Sequence, residues 1–358
     1  MLRIVPAIFF ALLATSLIAA DDPATPPAPA ASKPPEIPKG AWVNISDALV
    51  KAITAKSDQP MLWPGNTAGI AVDRVTGDIF LAITANGIWK SSDKGATYVR
   101  IDKGTVTGRC ETGFALDIDP QGRGLMCFMT AGSSAMLIDG GKENLKSAAS
   151  NMDFGAVDWT DALTLIAVRH ETKGWAWHSE DGGASWKDFG PGYDGVGVFD
   201  DKTFVAVKSK TPGIALTENA GEKWGHVSDL LPTGRAMRVF KNAGYWTSKQ
   251  GLLVSADKGK TWKVQGAAVE MSTGPYFGKD EKNIVVAGKD GLLKTTDGGA
   301  TWTLAAPYPD KMKFEPRGWF GNFGWDPVND IFYASVMGQP AYRWDSEKNG
   351  KTDPPANP

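Results

Sequence analysis

One eight-residue phrase recurs along this chain, and its period limits the folds open to it. The cleanest copy is Ser255-Ala256-Asp257-Lys258-Gly259-Lys260-Thr261-Trp262. Close copies begin at Ser179 and Thr295, a conservative one runs from Ser91 to Tyr98, and a weaker one runs from Thr217 to Trp224. The third position falls at Asp93, Asp181, Asn219, Asp257 and Asp297, in steps of 88, 38, 38 and 40 residues. The first step is about double the others, which places a decayed copy at Asp139-Gly140-Gly141. A unit of about 40 residues that must bury its apolar face on the next unit matches a four-stranded propeller blade.

The local pattern agrees with that unit. Short apolar segments at 68–73, 78–84, 87–92 and 97–101 are separated by Thr76-Gly77, Asn86-Gly87 and Asp93-Lys94-Gly95. Strands joined by tight turns read this way. The same order recurs over 195–227, 236–264 and 274–304, and helical periodicity is confined to a turn or two around Ser46–Ala55. A final repeat starts at Trp319 and lacks a fourth strand. Ala41 to Ile45 resembles the outer strands at Thr261–Val264 and Thr301–Leu304. The N-terminal strand is therefore expected to complete the last blade and close the ring, because closure removes exposed sheet edges. The expected fold is all-β, a seven-bladed propeller of four-stranded antiparallel blades, with six blades as the alternative.

Within the phrase, the aspartate can accept hydrogen bonds from its own turn, and the glycine supplies positive φ. The Trp lies on the outer strand, where it can cover the blade's edge. The spacing thus has a structural explanation that needs no substrate. One carboxylate per turn is also too few ligands for calcium. The phrase resembles the Asp-box, or bacterial neuraminidase repeat. That repeat occurs in sialidases, xyloglucanase-type glycoside hydrolases, sortilin-like receptors and the photosystem II assembly propeller. The resemblance spans about 41–349 and implies a propeller, but it does not choose between enzyme and binding protein.

The flanks suggest export. Residues 1–20 read as a signal peptide, with Arg3 before an apolar run and Ala19-Ala20 before the cut. Residues 21–40 form a Pro/Ala-rich linker expected to act as a semi-rigid tether, and residues 350–358 a disordered tail. The net charge of −2 becomes one unit more negative once Arg3 is lost, and no basic run marks a nucleic-acid or anionic-membrane surface. A secreted or periplasmic monomer without cofactor or metal, and without a membrane span after signal removal, is expected. Cys110 and Cys127 are an even pair in an exported chain. Either a disulfide or one loop and one buried strand cysteine fits.

Ligand contacts in a propeller are expected from the segments leading into each innermost strand and from the loops joining second and third strands. These carry Arg109, Glu111, Asp153, Tyr193, Asp194, Arg235, Glu270, Tyr276, Arg317 and Trp319 in the first set. Arg169, His170, Glu171, Lys208, Lys210 and Lys249 belong to the second, while Asp58 and Trp63 lie on the long first lead-in. Arg109, Arg235 and Arg317 each begin an inner strand, and three converging guanidiniums would clamp a carboxylate. The sialidase resemblance implies an arginine triad, a Tyr nucleophile with a Glu, and an acid. Tyr276, Glu270 and Asp58 are the residues that could fill the last three roles, and Asp194 is a further candidate carboxylate. The Phe/Tyr-Arg-Ile-Pro signature of sialidases is absent. Trp63, Tyr193, Tyr276 and Trp319 could stack on sugar rings or simply pack. The histidines lack metal spacing and read as structural or solvent-facing. The function expected is recognition or assembly on a glycan or protein ligand, with a glycan-cleaving hydrolase as the alternative.

Overall fold

The computed structural model describes residues 39–56, 65–310 and 321–346. Its strands form seven four-stranded antiparallel sheets, each in sequential order except the last. We number the blades 1 to 7 along the chain. Their innermost strands are Thr67–Val72, Leu116–Ile118, Met152–Val157, Tyr193–Val198, Arg238–Phe240, Met271–Phe277 and Gly321–Asp326. One cavity draws its wall from all seven of these strands, so they surround a common channel. The fold is a seven-bladed β-propeller, and the six-blade alternative is excluded.

Blade 7 is completed from the far end of the chain. The strand Gly40–Asn44 pairs antiparallel with Ala341–Ser346, setting Trp42 opposite Trp344. The Trp42 indole donates to the Pro307 carbonyl of blade 6 at 2.8 Å. The helix Asp47–Ala55 follows and buries Leu49, while Arg343 Nη1 donates to the Lys94 carbonyl of blade 1 at 2.8 Å. Blade 7 is thus tied to both neighbours, by Trp42 of the closing strand and by Arg343 of the strand it pairs with.

The recurring phrase forms a self-contained corner between the third and fourth strands. In blade 5, Ser255 Oγ donates to Asp257 Oδ1 at 2.9 Å and accepts from the Gly259 amide at 2.8 Å. Asp257 also accepts from the Thr261 amide and hydroxyl at 2.9 and 2.6 Å. The same bonds recur around Asp93, Asp181 and Asp297. In blade 4 the Gly221 amide donates to Thr217 Oγ1 and the Lys223 amide to Asn219 Oδ1, although Lys223 has no hydroxyl to add. Two consecutive residues take positive φ in each corner, as at Lys258 and Gly259. Glycine is needed at the second position for a further reason, close packing on the preceding blade. A Cβ on Gly259 would lie 2.6 Å from Val205 Cγ1, and one on Gly221 would strike the Phe189 ring. Blade 2 has only the short 3-10 turn Asp139–Gly141 at this place.

A second aspartate device sits on the turns between first and second strands. Asp73, Asp119, Asp158, Asp200, Asp280 and Asp326 each accept from an amide two residues on, at 2.8–3.1 Å. Single aspartates without a repeated phrase around them left this invisible in the sequence. Cys110 and Cys127 are both free and buried, and burial pushes both thiols up.

Candidate functional site

Antiparallel order puts the first-to-second and third-to-fourth turns of every blade on one rim of the ring. The inner-strand lead-ins and the second-to-third loops occupy the other rim. Each rim has a cavity associated with it, and the two differ in chemistry.

The channel cavity, about 460 Å³, is walled mostly by apolar side chains such as Val72, Leu116, Val157 and Phe277, and reaches the turn rim at Pro120, Thr160 and Lys241. Several of its charged groups are already engaged. Arg238 Nη1 meets Asp117 Oδ1 at 2.6 Å across the channel, and Asp117 also accepts from the Val157 amide and the Trp159 indole. Burial raises the Asp117 carboxyl, opposed by Arg238 and these donors. Arg74 reaches the carbonyls of Pro120 and Gly278 over the Phe240 ring, tying blades 1, 2 and 6 together. These bonds brace one blade against another across the channel.

The second cavity, about 770 Å³, lies on the lead-in rim between blades 3 and 4. It gathers Tyr193, Asp194 and Arg235 together with Asp153, Arg169, Lys208 and Lys210. Arg235 is 7% exposed, and its Nη1 donates to the Asp194 carbonyl at 3.1 Å while its guanidinium lies over Phe154. Lys208 is held differently. Its Nζ sits 3.5 Å above the Tyr193 ring and 4.7 Å from that of Trp224. The rings meet edge-on, 5.7 Å apart, and Phe189 supports both. Among the described residues no carboxylate pairs with Lys208, and burial alone lowers its ammonium to about 8. Aromatic faces offset part of that desolvation. Burial likewise raises the Tyr193 phenol to about 12.

The remaining sequence candidates are scattered. Arg109 is paired with Glu111 at 2.6 Å and is absent from the cavity wall, so it does not join Arg235 there. Glu270 faces Lys249 at 3.7 Å on the lead-in rim, whereas Tyr276 lines the channel at the other end of the same strand. Six extended residues separate these two by about 15–20 Å. The structure does not bring them together, and the Tyr276 phenol is pushed up by burial. Asp58, Trp63, Arg317 and Trp319 lie outside the described residues. Asp153 accepts from Thr130 Oγ1 at 3.0 Å and pairs with His170 Nδ1 at 2.7 Å; burial raises its carboxyl, opposed by His170. His178 is buried between Phe189 and Phe204, and His226 faces Asp229 at 2.9 Å. Trp224, the phrase's own Trp, is the site residue the sequence reading missed. Its place in a structural motif masked its second role. Among the described residues no group of His, Cys, Asp and Glu could hold a metal ion, and no helix is long and apolar enough to cross a membrane.

No family model and no curated protein matches the chain. Solved structures do resemble it. A GH74 enzyme of Niastella koreensis superposes with a TM-score of 0.54 at 16% identity, covering 82% of this chain and 54% of that one. This chain therefore spans about half that enzyme's length. An oligogalacturonate lyase in complex with manganese gives 0.52 at 12% identity, covering 80% and 91%. YCF48 bound to a D1 peptide gives 0.47 at 14% identity, covering 79% and 94%. At such identities a likeness extends to the fold alone. The chain is a seven-bladed β-propeller with distant structural counterparts.

Proposed function

We propose that this chain is an exported Asp-box propeller that recognises a glycan or protein ligand through the cavity between blades 3 and 4, without cleaving it. The observation that carries this reading is the state of the charges. Lys208 is half-buried against aromatic rings without a counter-charge, in a concave site large enough for a ligand. A binding site needs such an unsatisfied group, because satisfying it is what a ligand contributes. A sialidase-type reaction needs a Tyr and a Glu in contact, and Tyr276 and Glu270 occupy opposite ends of one strand. The signal-like leader and the Pro/Ala stretch are consistent with a monomeric propeller tethered outside the cytoplasm.

A panel of glycans and peptides titrated against the purified protein tests the proposal, alongside chromogenic sialosides and neutral polysaccharides as substrates. Saturable binding without turnover supports it. Turnover abolished by Glu270→Gln or Asp194→Asn would replace it with the hydrolase reading.

A further inference from the structure

We propose that His178 is an acid-sensitive latch between blades 3 and 4, whose protonation loosens the aromatic packing behind the cavity they share. The residue lies on the strand Ala176–Ser179, third in blade 3, and is 1% exposed. Neither ring nitrogen has a hydrogen-bond partner among the described residues. Phe189 of the same blade stacks on the imidazole at 5.1 Å, and Phe204 of blade 4 meets it edge-on at 4.8 Å. Phe189 in turn supports the cavity wall, with Tyr193 at 6.4 Å and Trp224 at 6.1 Å, and the Gly221 corner of blade 4 packs on its ring. The imidazole therefore sits one layer behind the cavity, at the seam of the two blades.

A neutral imidazole suits this apolar setting. An imidazolium does not, because it adds a charge and a second N–H donor where no acceptor stands. The neighbouring charges do not reverse this. Glu180 Oε1 is 3.8 Å from Nε2, but its other oxygen is held by Lys187 Nζ at 2.7 Å, and Lys187 itself opposes a second positive charge. Asp181 is held within its own corner, Asp188 on the outer strand accepts from the Trp175 indole, and Arg169 on the second strand lies over Trp177. In blade 4, Tyr193, Asp194, Lys208 and Arg235 line the cavity, Glu218 pairs with Lys260, and Glu222 and Lys223 are exposed. Burial lowers the imidazole below its ordinary 6.5. The unfolded chain then takes up the proton first. His178 thus contributes stability that is full above 6.5 and is lost as pH falls from there toward the lowered folded value.

Two measurements on the full chain test the latch. In the first, NMR follows the three histidine rings from about pH 8 to about pH 4, with His170→Gln and His226→Gln assigning the other two. His178 should take up its proton below the ordinary histidine range. In the second, urea unfolding and amide exchange compare the wild type with His178→Phe and His178→Leu at about pH 7.5 and about pH 5.5. The wild type should lose more of its urea midpoint on acidification than either variant. Its exchange at the strands Lys187–Gly190 and Phe204–Lys208 should rise in acid above that of the variants, while blade 6 exchanges alike in all of them. A ring that protonates within or above the ordinary range would overturn the latch, because Glu180 would then be holding the charge. So would equal midpoint losses in the wild type and a folded variant, or extra exchange spread evenly round the ring. If both variants fail to fold, the NMR titration decides alone. Each result stands whether or not the glycan and peptide panel finds a ligand.

Discussion

The Asp257 corner and the Lys208 loop lie on opposite rims of neighbouring blades, and they treat their polar atoms in opposite ways. At the corner, Ser255, Asp257 and Thr261 exchange hydrogen bonds among themselves and with two amides, so the turn is complete without any partner. At the loop, an ammonium rests on two aromatic faces without a counter-ion. The corner repeats around the ring because each blade docks the same way on the one before it. The loop occurs once. A repeated satisfied unit sets the scaffold, and an uncompensated charge beside a cavity offers a place for a ligand.

The sharpest way to break this contrast is to disturb a corner sterically. Gly259→Val places a branched Cβ at positive φ and against Val205, and should cost about 4 kcal/mol from backbone strain and overpacking together. Denaturant unfolding would read this, and ligand affinity of the surviving folded fraction should not change. Loss of binding in step with stability would mean that the two rims are coupled. Asp257→Ala removes the acceptors of one corner and should cost about 1–2 kcal/mol, with Asp257→Asn milder because Asn219 serves in blade 4. Equal losses from both would show that charge, rather than acceptor geometry, holds the corner.

Acid provides a finer test. Bonds from the Thr301 hydroxyl and amide hold the Asp297 carboxyl at about 2, below its ordinary 3.8. A depressed folded value means stability that is fully present above 3.8 and is lost as pH falls through about 2. Asp297→Asn should therefore flatten the acid limb of the stability curve, and an unaltered limb would contradict the hydrogen-bond account. The smallest effect is expected at the other rim. The lowered Lys208 value means that its charged form is disfavoured in the folded state, a penalty present at neutral pH and relieved as pH rises through about 8. Lys208→Met keeps the stem on the rings and should leave stability at neutral pH unchanged or raised by less than about 1 kcal/mol after solvent screening. A clear loss of stability would show that the ammonium braces the blade, and would make it a poor candidate for binding.

Much of the architecture is legible in the residues themselves. Asp93, Asp181, Asn219, Asp257 and Asp297 mark five corners by spacing, and Ala41 to Ile45 can be matched to the outer strands by its own pattern. The site is legible only in part. Tyr193, Asp194, Arg235 and Lys208 belong to the expected lead-ins and loops, and they share one cavity. Arg109 belongs equally to that expectation but is taken up by Glu111 two residues away. Nothing in the local sequence distinguishes these fates, because partner choice depends on how one blade is rotated against the next.

The sequence determined the unit, its period and the corner chemistry, since each rests on hydrogen bonds and turn geometry within a few residues, and it marked the closing strand by likeness to the other outer strands. Tertiary structure decided which charges remain uncompensated. Asp117 finds Arg238 across the channel, while Lys208 finds only the rings of Tyr193 and Trp224. The physical reason is range. A turn is satisfied by neighbours along the chain, whereas a buried charge is answered or left unanswered by whatever the packing of separate blades brings beside it.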